Sequence, residues 1–143
     1  MNNSTSKAQF LLRLALGIGF IFPVLDRLGV LGSPGGYAVS WGNWTNFINY
    51  TNSLMPYLNR QLASFSGAVA TIGEVIFGIM LIIGLKTKWA AYGSFILTLI
   101  FALSMLFFAD YRAPFNYSVF VVSFSSLLLA TLPEHKWSVE SKF

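Results

Sequence analysis

Residues 70–85 read ATIGEVIFGIMLIIGL, a run of apolar and small side chains with one carboxylate, Glu74, set inside it. A bilayer core of about 30 Å takes about 20 mostly apolar residues per helix. Extended upstream to Leu62, this run is long enough to cross, and Glu74 falls close to the bilayer midplane. A charge at that depth costs at least about 2.5 to 3.5 kcal/mol, so such side chains turn toward a protein interior and tend to mark working positions. Counting by three and four from Glu74 reaches Gly67, Ala70, Thr71 and Gly78, whereas Val75, Ile76, Ile79 and Ile83 project elsewhere. Small residues let a second helix approach closely. The acid is therefore expected to face a seam between packed helices.

Working outward, three more segments of suitable length flank this one, and the expected spans are 10–28, 62–85, 89–108 and 114–132. With 55% hydrophobic and 10% charged residues, the chain departs far from the soluble norm of about 25% charged. The expectation is one all-α domain over residues 1–143: an integral membrane four-helix bundle with an amphipathic interfacial helix in its long first loop. The first segment lacks a small-x-small cleavage site in PVLDRLGVLG and reads as a retained helix. Four spans put both termini on one side with the loop KTK, where Lys7, Lys86, Lys88, Lys136 and Lys142 collect, and the positive-inside rule makes that side cytoplasmic.

The long loop, 29–61, begins with the turn formers of GVLGSPGGYAVSWGNW. It continues as NWTNFINYTNSLMPYLN, in which Trp44, Phe47, Ile48, Met55 and Leu58 fall along one helical face. That pattern suits a helix lying on the outer membrane surface, and equally an ordinary amphipathic cap on the bundle.

Composition also excludes chemistry. The nine Lys and Arg are scattered singly and make no basic stripe, which argues against nucleic acid despite a net charge of +4. With no cysteine and a single histidine, His135, the chain offers no thiol relay and no bis-histidine haem, and no metal site or covalent cofactor is expected. Redox chemistry here needs a bound molecule or a partner.

In the first segment Arg13, Gly17, Phe20, Val24 and Arg27 share a face that Pro23 is expected to kink. The third segment brings Ala91, Ser94, Thr98, Ala102 and Met105, and the fourth Ser118, Ser125 and Ser126. Packed together, these faces give a compact bundle with a slightly polar seam. Arg13 and Asp26 lie about 10 Å either side of the midplane, so Arg13 either snorkels to headgroups or reaches inward to Glu74. Glu74 is the candidate catalytic residue, a hydrogen-bonding or proton-carrying group, with Thr71 and Thr98 beside it. The plainer alternative is an acid satisfied by Thr71, Ser94 or Thr98 that only holds helices together. In ADYRAPFNYS, Arg112 and Asn116 stand at a helix start at the same depth as Asp26 and Arg27, a candidate anion site or simply a solvated loop pair with a helix cap.

The stretches LLRLALGIGFIFPVLDRL, IGEVIFGIMLIIGLKTKWAAYGSFILTLIFALS and RAPFNYSVFVVSFSSLLLA, in that order, resemble the DoxX family of small four-helix membrane proteins, which includes DoxD-like subunits. Arg13 and Gly17 match its first helix, Arg27 the basic residue that commonly ends that helix, and Glu74, Gly78 and Gly84 its second. FPVLD replaces the more usual glycine-bearing turn before the basic residue. The resemblance implies a small inner-membrane subunit of a quinone-linked oxidoreductase, similar to thiosulfate:quinone oxidoreductase. Its ligands would be a quinone or a small anion such as thiosulfate, held by Glu74, Arg27 and Arg112, with a partner subunit or a homo-oligomer in the lipid bilayer. A non-catalytic assembly subunit or a small-molecule transporter stays open beside it, although no inverted repeat is evident.

Overall fold

A computed structural model describes residues 1–142, and these are helical with no strand. The helices are α1 Asn3–Arg27, α2 Trp44–Leu54, α3 Arg60–Ile83, α4 Thr87–Phe108, α5 Ala113–Asn116 and α6 Val119–Thr131, followed by a short 3-10 turn at Val139–Lys142. Of these, α1, α3 and α4 are long and apolar enough to cross a membrane. Leu11, Phe65, Ile72, Trp89 and Phe107 point outward, while the central packing uses Leu16, Phe20, Leu81, Ala90, Ala91, Leu129 and Ala130. Large apolar groups facing outward, with alanines at close helix contacts inside, are what a lipid solvent selects.

Local sequence sets the helix ends. Asn2, Asn43 and Asn59 each accept the backbone N–H three residues on, at 2.8, 2.8 and 2.9 Å, and so start α1, α2 and α3. Gly84 ends α3 in the left-handed conformation at φ 72°. The segment expected as a continuous fourth helix, 114–132, is instead broken at Tyr117–Ser118, with Ser118 at φ 55°. Pro114 starts the short α5, and Asn116 and Ser118 favour local turns over helix interior. At about 1.5 Å per residue, α6 is about 20 Å long, which is short of a bilayer core.

Packing is closest where α1 crosses α3. A Cβ on Gly17 would lie 2.8 Å from the carbonyl oxygen of Gly78, and one on Gly78 would lie 3.1 Å from that of Gly17. On the far side α4 packs along both α3 and α6, whereas α1 and α6 touch only sparsely. Helix α2 buries Phe47, Ile48, Thr51 and Leu54. It settles onto α3 at Gly67, where a Cβ would come 2.9 Å from Ile48 Cδ1. Phe47 and Ile48 belong to the face read from sequence, but Met55 and Leu58 lie past the end of the helix.

The N-terminus and the segment after α6 meet at one end of the molecule, the amino group of Met1 lying 3.6 Å from Glu134. The C-terminal tail folds back across that end. Gln9 donates to the carbonyl of Lys136 at 2.8 Å, Arg13 to that of Trp137 at 2.6 Å, and the N–H of Thr87 to Glu140 at 3.1 Å. The opposite end is covered by α2 and the loop before it.

Candidate functional site

Helix α1 ends on Arg27, and the Gly17–Gly78 crossing fixes what that residue faces. Arg27 lies ten residues beyond the crossing on α1, and Glu74 lies four beyond it on the antiparallel α3. The offset of six residues is about 9 Å along the axis. Side chains lean toward the N-terminus of their own helix, so on antiparallel neighbours the two lean toward each other and close that gap. Arg27 Nη1 reaches 2.7 Å from Glu74 Oε2. The approach is off the line of an in-line hydrogen bond, so the contact is chiefly an ion pair.

Further contacts hold the guanidinium. Nη1 also donates to Thr71 Oγ1 at 2.7 Å, and Nε donates to the Pro23 carbonyl at 3.1 Å. The ring of Phe47 lies under it at 4.0 Å and that of Trp41 at 5.3 Å. Arg27 is 2% exposed and Glu74 6%, so the pair is almost wholly withdrawn from the surroundings. A buried pair this well supported is costly to break from one side only.

The two charges stand on the wall of a cavity of about 270 Å³. Leu16 and Phe20 of α1, Thr51 and Leu54 of α2, Phe101 and Met105 of α4, and Val119 and Val122 of α6 form most of the remaining lining. Thr98 faces the same space from α4, its hydroxyl donating to the Ser94 carbonyl at 2.7 Å and so leaving an acceptor lone pair. Pro23, Trp41, Tyr50, Met105 and Tyr117 line this cavity and also a second one of about 820 Å³ at the loop-covered end, whose wall includes Asp26, Ser40, Asp110 and Asn116. Burial on α2 pushes the Tyr50 phenol above its ordinary range, with the nearby Tyr117 adding to the effect.

The structure thus gathers Glu74, Arg27, Thr71 and Thr98, four of the residues picked out from sequence. Asp26 is adjacent but turned away. Its carboxylate accepts the backbone N–H groups of Ser40, Trp41 and Gly42 at 3.0, 3.1 and 3.2 Å, and so hangs Trp41 over the cavity. Arg13 neither snorkels nor meets Glu74. The cation partner of the acid is Arg27, and Arg13 is 1% exposed at the far end, beneath the tail carbonyls that a linear reading could not place there.

Arg112 is exposed, its Nε on the Tyr111 hydroxyl at 3.0 Å and its backbone N–H on Asp110 at 3.0 Å. Asn116 lines only the outer cavity, and α5, with four residues, is too short to present a helix dipole there. The expected grouping of Arg112 with Asp26 and Arg27 does not form.

Trp41, Tyr50 and Thr51 were not picked out from sequence as site residues. Phe47 and Ile48 were read from sequence as part of one helical face, but nothing in the linear chain showed that Thr51 joins it or that Asp26 folds the loop so that Trp41 meets Arg27.

A helical protein with three helices long and apolar enough to cross a membrane, packed around a buried charged pair, has the character of an integral membrane protein. A family model, DoxX, matches residues 8–109, and the chain belongs to that family. The match takes in Arg27, Thr71, Glu74 and Thr98 and ends before α5. No curated protein and no solved structure matches the chain.

Proposed function

We propose that this chain is an inner-membrane subunit of a quinone-linked oxidoreductase, similar to thiosulfate:quinone oxidoreductase, and that it binds a quinone head in the cavity beside Arg27 and Glu74. The carrying observation is the buried ion pair on the wall of an otherwise apolar space of about 270 Å³. Pockets for drug-sized molecules run from about 300 to 1,000 Å³, so this one suits a single substituted ring. As a quinone takes two electrons and two protons to become a quinol, negative charge develops on its carbonyl oxygens. Arg27 is placed to stabilise that charge, and Glu74 to accept and return a proton.

In this reading α5 and α6 together make the fourth span of the bundle, and α2 lies at the outer surface. The end bearing Lys7, Lys86, Lys88, Lys136 and Lys142 is cytoplasmic, as are both termini. Electrons come from a reductant at the outer cavity or from a partner subunit. Asp26 and Asp110 on the outer wall, with no lysine or arginine among its lining, favour an uncharged reductant there. A dianion such as thiosulfate would then be handled by the partner. The tail folded across the cytoplasmic end, tied to α1 and to the start of α4, supports this reading over transport.

Glu74→Gln preserves shape and removes the exchangeable proton. The variant should still fold and assemble, with a loss of stability smaller than that of Glu74→Ala because the Gln carbonyl still faces Arg27, while quinone reduction slows and its pH profile flattens. An unchanged rate and profile would remove Glu74 from proton transfer. Protein purified in mild detergent without quinone but with a stoichiometric partner would favour the assembly role instead.

A further inference from the structure

We infer that the cavity is entered sideways, through a mouth between α1 and α6, and that its ligand is a lipid whose apolar tail stays in the bilayer while its head meets Arg27 and Glu74. The inference rests on the quinone reading above and adds the route and the shape of the ligand. Ala15, Gly19, Pro23 and Arg27 recur every four residues along one stripe of α1, and all four line the cavity. The first two are exposed as well as lining it, and Gly19 is the more telling. A Cβ built on Gly19 meets no atom within 4 Å, whereas the same atom on Gly17, on the closed side of the helix, would collide with α3. Val119 and Val122 form the opposite lip on α6. Tyr117, also exposed, stands above it at the break between α5 and α6.

The α1–α3 crossing, the α4–α6 seam and the outer end are closed, and a separate groove of about 590 Å³ between α3 and α4 shares only Thr51, Leu54 and Phe101 with the lining of the cavity. The α1–α3 crossing is sealed backbone to backbone at Gly17 and Gly78. Helices α4 and α6 are pinned where Ser123 donates to the Phe95 carbonyl at 3.2 Å. Toward the outer cavity the half-buried Trp41 and Tyr50 form a roof. Gly19 lies eight residues before the end of α1, about 12 Å along its axis, so the mouth opens within the hydrocarbon layer.

Polarity within the cavity sets the orientation. Glu74 comes from α3, behind α1 as seen from the mouth, and is 6% exposed with Oε2 lacking an in-line hydrogen bond. The lips are Ala15, Gly19, Val119 and Val122. A molecule that satisfies both ends has a ring carrying a carbonyl or hydroxyl, and a flexible hydrocarbon chain leaving past Gly19.

The test compares a polyprenyl benzoquinone with the same ring bearing a methyl group in place of the tail, both binding to full-length protein in nanodiscs. At equilibrium Gly19→Phe should weaken the tailed quinone by at least about tenfold, about 1.4 kcal/mol, while the tail-less ring, which leaves the mouth empty once bound, binds as tightly as before. If Gly19→Phe binds the tailed quinone like wild type, the side mouth is wrong and the quinone site stands. Equal weakening of both ligands would also overturn the mouth, because Gly19 would then matter only to the cavity. Failure of wild type to bind either ligand would remove the quinone reading itself. Should Gly19→Phe fail to fold, Gly19→Cys modified after folding with a bulky maleimide plugs the same place, and its label is unique because the chain has no cysteine. The same three comparisons then apply.

Discussion

Removing one partner of the Arg27–Glu74 pair should cost much more than removing both. In Glu74→Ala the buried guanidinium keeps Thr71 at 2.7 Å, the Pro23 carbonyl at 3.1 Å and the Phe47 ring at 4.0 Å, but loses its ion-pair partner. In Arg27→Ala the acid is left with no cation within reach. Breaking a buried pair from one side costs about 3 to 5 kcal/mol, whereas replacing both members with neutral groups is often close to neutral. The three contacts that survive place Glu74→Ala near the lower figure, and their absence places Arg27→Ala near the upper one. The double variant Arg27→Met with Glu74→Gln keeps volume without charge and should be more stable than either of its own single variants, Arg27→Met and Glu74→Gln, so the two losses do not add. Equilibrium unfolding in mild detergent, run as a double-mutant cycle, measures this directly. If the double loss equals the sum of the singles, the two residues act independently, and the cavity wall is not an ion pair in the working protein.

Gly17→Val should separate α1 from α3, because the added Cβ would lie 2.6 Å from Ile82 Cγ1 and 2.8 Å from the Gly78 oxygen. The expected loss is about 1 to 3 kcal/mol in the same unfolding assay, and an unchanged midpoint would refute the crossing. Asp26→Ala frees the N–H groups of Ser40, Trp41 and Gly42, so the loop between α1 and α2 should become cleavable by added protease while the helical signal persists. Arg13→Gln weakens the hold on the tail, and trypsin should then cut after Lys136 faster than in the wild type. The Tyr50 phenol ionises above the ordinary tyrosine range because it is buried. The unfolded chain releases that proton first, so stability should be lost as pH rises from the ordinary value through the raised one. In an ultraviolet titration Tyr50→Phe should remove the highest tyrosine step.

Along the chain, hydropathy marked the apolar segments, and the charge of Glu74 within one of them forced that residue inward, because hydrocarbon offers an ion nothing. The small residues at Gly17, Gly67 and Gly78 could be read as close-approach points for the same reason, and they are the points where α1 and α2 meet α3. Linear reading failed where a polar group has several candidate partners. Arg13 and Arg27 lie on one face of one helix, and the sequence does not state the register between α1 and α3. That register is set by a backbone contact between two glycines, and it gives Glu74 to Arg27.

The broken helix at Ser118 was also hidden, since its composition is as apolar as that of a continuous span. What the sequence determined, then, is that this chain lives in a membrane and keeps one acid out of the lipid. The cation that answers it, the loop that hangs Trp41 over the pair, and the sparsely closed seam beside Gly19 depend on contacts between residues far apart in the chain, and only the tertiary structure decided them.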